Sequence, residues 1–240
     1  MEFLADVLAW FANPETWEGR NGIPTRLGEH LVLSAASLAG GTLIALPLGL
    51  AIGHTGRGAV AVVSIANIGR AVPSLGLLGI AFVIMLPLGL GLGFWPSLIA
   101  LVLLALPPIV TNTYVGLRGV DRELIEAARG MGMREREILT AVELPIALPV
   151  ILAGIRISAV QVVATATLAA VISGGTLGHL ILVGFNIGDQ VQVFGAALVV
   201  ALLSIGTELA FAAVQRAATS PGLRAPADVP AGAARAAGGG

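Results

Sequence analysis

The chain has 240 residues, of which 56% are apolar and 11% charged, and its formal net charge is −1. A soluble domain carries about 25% charged residues, so this composition excludes an ordinary water-soluble fold and points to lipid. Cysteine and lysine are both absent, which excludes disulfides, thiolate metal sites, a cysteine nucleophile and the GxxxxGK[ST] loop whose lysine reaches nucleotide phosphates.

Met1–Trp10 holds Glu2 and Asp6 and lacks a basic start followed by an apolar core, so it does not read as a cleaved signal peptide. The first span would serve as an uncleaved signal. A spanning helix needs roughly 20 mainly apolar residues, and five windows qualify: Leu31–Ile52, Ala59–Leu88, Phe94–Leu117, Ile146–Ile172 and Val193–Val214. The expected organisation is an N-terminal extracytoplasmic segment (1–27), a transmembrane domain (28–217) and an Ala/Gly/Pro-rich tail (218–240), which buries too little to order itself. No length remains for a separate soluble catalytic domain.

Ala59–Leu88 is longer than one span requires and contains Arg70 and Pro73. Proline removes a backbone donor and disrupts the preceding turn, so this window reads either as one broken span or as a re-entrant pair. Two complete spans would invert everything downstream, and the arginines argue against that. Arginine near short loops is left on the cytoplasmic side. Arg57 follows span one, Arg118, Arg122, Arg129, Arg134 and Arg136 follow span three, and Arg216 and Arg224 follow span five, whereas Gly89–Gly93 and Gly174–Gln192 contain none. The N-terminus is therefore expected outside and the C-terminus in the cytoplasm, with Arg20 and Arg26 as the discordant pair.

Between Arg118 and Glu143 lie five of the 13 arginines and six of the 14 acidic residues. Nothing this polar crosses a bilayer. Asp121 is placed to cap a helix from Arg122, with Glu123 in its first turn. Gly130 and Gly132 permit a sharp turn. A second short helix is expected at Met133–Val142, after which Pro145 opens span four.

The stretch EAARGMGMREREILTAVELP resembles the EAA loop of binding-protein-dependent ABC transporter permeases. Glu126, Ala127, Ala128, Gly132, Leu144 and Pro145 match at the family's spacing, and Val142 stands where isoleucine is usual. The resemblance implies an all-α, polytopic transmembrane bundle of the type I importer fold, with this loop as the coupling helix docking on a cytoplasmic ATPase. ATP and magnesium would then be bound by that partner, and this chain would hold no cofactor. An extracytoplasmic solute-binding protein and a second permease subunit, identical or paralogous, are the other implied partners. Small Ala127 and Ala128 would let the helix seat closely, Glu126 offers a charge, and Gly132 turns the chain away. The competing reading is a solvated hairpin that merely keeps a loop out of lipid.

AVPSLGLLGI at 71–80, the stretch 143–178 and the end of span five around Glu208 and Gln215-Arg216 are similar to osmoprotectant permeases for glycine betaine, carnitine or choline. Permeases for methionine or a sulfonate share some of these patterns, and Arg70 stands where related sequences often carry glutamine. A quaternary ammonium is held by an aromatic cage, for which three Trp and one Tyr are too few; in this family the binding protein supplies it. Candidates for the solute path are Asn112, Thr113, Gln161, Thr165 and Thr167, with interhelical hydrogen bonding as the alternative. Arg156 and Glu208, each within about 15 Å of the cytoplasmic end of its span by helical rise, are expected to pair. Gly49 and Gly53 suit close helix packing within the chain rather than a dimer contact. His30, His54 and His179 lie near span ends without ligand spacing, so no metal is expected. A channel or secondary transporter would need embedded acids for ion coupling or a selectivity filter, and Glu208 alone approaches this. A membrane enzyme would need an acid–base cluster that the spans lack.

Overall fold

The computed structural model describes residues 2–219, and these are helical almost throughout. In chain order the helices are α1 (Glu2–Ala12), α2 (Ile23–Thr55), α3 (Ala59–Ala71), α4 (Ser74–Met85), α5 (Phe94–Arg118), α6 (Arg122–Gly130), α7 (Glu135–Ile138), α8 (Leu144–Thr165), α9 (Gly178–Ile187) and α10 (Gln190–Ala218). Four helices are long and apolar enough to cross a membrane, and the bent pair α3–α4 supplies a fifth crossing if it is one span. The tail beyond Thr219 lies outside the described residues.

Two boundaries differ from the sequence reading, and the break expected in Ala59–Leu88 is present. Span one begins at Ile23, eight residues before the expected Leu31, because Pro24 occupies the first turn, where its missing N–H costs nothing. The Ala59–Leu88 window bends by 98° between Gly69 and Ser74, with Val72 extended before Pro73. The separate helix expected at Met133–Val142 does not exist as such. Helix starts at Glu135, and an unbroken 38-residue rod runs from there to Ile172. Its continuity depends on a π-turn at Leu139–Glu143. There the Leu144 N–H reaches back to the Leu139 carbonyl, and the wider turn gives room for the Pro145 ring that would clash in a regular α-turn.

The N-terminal helix α1 was not expected from sequence. It lies against the start of α10, where Phe3 meets Phe194 edge to face at 5.4 Å and the Trp10 ring fills the space over Gly195.

α5 is the axis of the bundle, with α2 on one side and α8 on the other. On α2, Gly41, Ala45, Gly49 and Gly53 recur every fourth residue and so share one face. A Cβ on Gly41 would stand 2.7 Å from the Ala105 Cβ, one on Gly49 2.6 Å from the Thr113 Cβ, and one on Gly53 2.9 Å from the Leu117 Cβ. Ala45, Ala105 and Ile109 are all 0% exposed between them. The two glycines singled out from sequence thus serve packing within the chain. On the other side a Cβ on Gly154 would meet the Asn112 Cβ at 2.6 Å, and the Ser158 hydroxyl donates to the Ala105 carbonyl at 2.8 Å. Overpacking such a seam costs about 1–3 kcal/mol. Gly49→Val is therefore expected to lower the thermal unfolding midpoint in detergent, whereas the same change at Gly79, with open space around its Cβ position, should leave it nearly unchanged.

Candidate functional site

The charged loop folds as the local signals dictate. The Asp121 carboxylate accepts the Glu123 N–H at 2.9 Å and starts α6. Gly132 adopts φ +85°, the left-handed conformation glycine accepts at no steric cost, and turns the chain. The Glu137 carboxylate accepts the Arg134 N–H at 2.7 Å and starts α7. Gly130, by contrast, is an ordinary helical residue.

α6 has two distinct faces. Ala128 is 2% exposed and turned inward, so of the two alanines only Ala127 is open to a partner, alongside exposed Glu126. Leu124 (45% exposed) and Met131 (77%) stand on the outer side with Ala127. Sequence reasoning missed these two, although the spacing i, i+3, i+7 marks one helical face. Leu144 packs with Leu117, Ala147 and Ile151 inside the bundle, while Pro145 remains exposed on the rod.

A polar cluster fastens the loop to the bundle. Arg129 donates two hydrogen bonds to Glu135, at 2.8 and 3.0 Å, and these raise the guanidinium above its ordinary pKa. Behind α6 a polar pocket of about 280 Å³ is lined by His54, Arg118, Arg122, Glu126, Arg129 and Glu143, among others. His54 and Glu143 are in contact there, a pairing no sequence signal announced.

At the opposite end of the bundle, α2 is tied to the end of span four. His30 Nε2 lies 2.8 Å from the Val163 carbonyl. The Glu29 carboxylate accepts the Thr176 N–H at 3.1 Å and the Arg26 guanidinium at 2.8 Å. His179, on α9, faces the same side, and burial together with the nearby Arg26 holds its pKa below the usual imidazole value.

The candidate path residues divide. Thr113 is fully buried against Gly49, and Asn112 packs into Gly154 and donates to the Pro108 carbonyl, so both lie in helix seams. Thr165 lines a small cavity with Ser74 and Ser97. Thr167 donates to the Ala164 carbonyl. Gln161 is half-exposed. Arg156 and Glu208 do meet, with Nε 3.3 Å from Oε1. Gln215, not anticipated, completes the group by accepting from Arg156 at 3.0 Å and donating to the Pro149 carbonyl at 2.9 Å.

Residues 41–220 match the family described as binding-protein-dependent transport system inner membrane component. The chain belongs to this family. It is 39% identical to a glycine betaine/carnitine/choline transport system permease protein of Bacillus subtilis, over 83% of this chain and 89% of that protein. It is also 37% identical to an osmoprotectant import permease protein of Salmonella typhimurium, over 84% and 85%. Among solved structures, the methionine ABC transporter MetNI in an inward-facing conformation superposes with a TM-score of 0.74 at 24% identity, over 82% of this chain and 96% of that one. An amino acid ABC transporter superposes at 0.66 with 19% identity, over 90% and 96%. These two establish a shared fold. The protein is thus a multi-pass permease subunit of an ABC importer in the inner membrane.

In such a permease the Arg156–Glu208 pair joins two apolar spans, where a lone charge is expensive. Arg156→Ala and Glu208→Ala are each expected to reduce assembled protein, and the swap Arg156→Glu/Glu208→Arg to recover part of the loss. A coupling energy of at least about 0.5 kcal/mol in the double-mutant cycle of unfolding midpoints is the measure; strictly additive losses would defeat the pairing.

Proposed function

We propose that this permease imports a quaternary ammonium osmoprotectant of the glycine betaine, carnitine or choline class. The carrying observation is the 39% identity, spread over most of both chains, to relatives named for those solutes. Methionine or a sulfonate is the alternative within the same family. The likeness to MetNI is one of fold and does not favour methionine.

α6 is the docking element for a cytoplasmic ATPase. Exposed Glu126 and Ala127, flanked by Leu124 and Met131, offer it a small apolar stripe with one charge, and the other motif positions shape that stripe: Ala128 seats α6 on the bundle, Gly132 turns the chain, and Leu144 and Pro145 belong to the rod behind it. ATP and magnesium sit in that partner, and this chain contributes no cofactor and no covalent chemistry. An extracytoplasmic binding protein delivers the solute. A second permease, identical or paralogous, closes the path, for which Asn112, Thr113, Gln161, Thr165 and Thr167 are the candidates. The arginine distribution supports an N-terminus outside and a C-terminus in the cytoplasm.

Copurification with the transporter's ATPase subunit tests the docking. Glu126→Arg is expected to cut the retained ATPase at least tenfold, about 1.4 kcal/mol of binding, and retention at the wild-type level would refute the assignment. Calorimetric titration of the neighbouring binding protein with glycine betaine, choline and methionine tests the solute. Tight binding of methionine alone would overturn the osmoprotectant reading.

A further inference from the structure

The EAA pattern leaves one position of its closing Ile-x-Leu-Pro unspecified, and in this chain that position is Glu143. Its carboxylate is 4% exposed and sits in the π-turn where the rod passes into span four. A buried carboxylate persists only with a partner. The partner is His54, whose Nδ1 lies 2.5 Å from Glu143 Oε2. The other ring nitrogen of His54, Nε2, stands 3.4 Å from Glu135 Oε2. Glu135 in turn holds Arg129 of α6 through both carboxylate oxygens. One imidazole at the end of α2 therefore touches two carboxylates on the rod, and the second of these grips the helix with the exposed stripe. Gly53, one residue earlier, has no side chain to hold α2 away from Leu117, which brings His54 close enough to do this.

We propose that His54 is a positioning residue that conveys movement of α6 to the first span, a role that rests on reading α6 as the ATPase-docking element. The rod alone carries displacement of α6 into span four. His54 adds the branch to α2, and through the close-packed seam to α5, so that the spans respond as one unit. Chains of packed and hydrogen-bonded side chains carry coupling of this kind, and Arg129, Glu135, His54 and Glu143 form one.

The test uses the complete transporter reconstituted in liposomes with its ATPase and binding protein. His54→Gln keeps a donor for Glu143 but no longer spans both carboxylates, and Glu135→Ala removes the side chain that is 57% exposed. Both variants are expected to retain the ATPase on copurification and to unfold at the wild-type temperature, while solute-stimulated ATP hydrolysis and solute moved per ATP fall at least about fivefold, the lower end of allosteric coupling factors. The double variant should be no worse than either single one. Wild-type stimulation in His54→Gln, additive defects in the double variant, or loss of thermal stability in both single variants would each overturn the proposal. If Glu126→Arg keeps the ATPase, it is the docking reading that fails, and the proposal with it.

Discussion

The close approach of α2 to α5 is the constraint from which the rest of the bundle follows. In lipid there is no hydrophobic drive between helices, and association relies on tight van der Waals contact between small residues. Gly41, Ala45, Gly49 and Gly53 supply this along more than three turns, and Ala105, Ile109, Thr113 and Leu117 receive them. Once that seam is fixed, the far side of α5 is fixed too, and α8 docks there through Gly154 and Ser158. α10 then leans on α8, with Leu202, Ile205 and Leu209 left exposed as surface for lipid. His54 owes its position to the same seam.

The second determinant is the uninterrupted rod from Glu135 to Ile172. Two prolines in its first half, Pro145 and Pro149, would ordinarily break a helix. The π-turn takes up the first, and the buried Glu143 sits within that turn rather than on a loop. A loop would absorb displacement by changing its own dihedrals, whereas a continuous helix passes it on.

Much of this was legible in the sequence. The spans follow from apolar length, the start of α6 from Asp121, the turn from Gly132, and the Arg156–Glu208 pair from the cost of isolated charge at equal depth. What was not legible depends on contacts distant in the chain. His54 and Glu143 are 89 residues apart, and nothing local to either names the other. Gln215 looked like part of a family pattern rather than a bridge to Arg156. For Thr113 and Asn112 the sequence leaves both a solute path and interhelical hydrogen bonding open, and which helix each packs against depends on Gly49 and Gly154, far away in the chain. Pro145 marks the start of α8, as its residue type suggests, but the π-turn that joins α8 to α7 and removes the break leaves no mark in composition.

α2 spans 33 residues, or about 50 Å at about 1.5 Å per residue, against a hydrocarbon layer of about 30 Å. Glu29 and His54, each the anchor of a polar cluster at its own end, lie about 37 Å apart along this axis by the same rise. That separation exceeds the hydrocarbon thickness, so both clusters fit at the level of the headgroups, where water offsets part of the cost of their charges. A single helix thus acts as a ruler that sets the two polar belts of the protein slightly farther apart than the oil between them. A bilayer thick enough to reach either belt would have to thin locally around the protein, so the fit of this permease to its membrane is fixed at the two ends of one span.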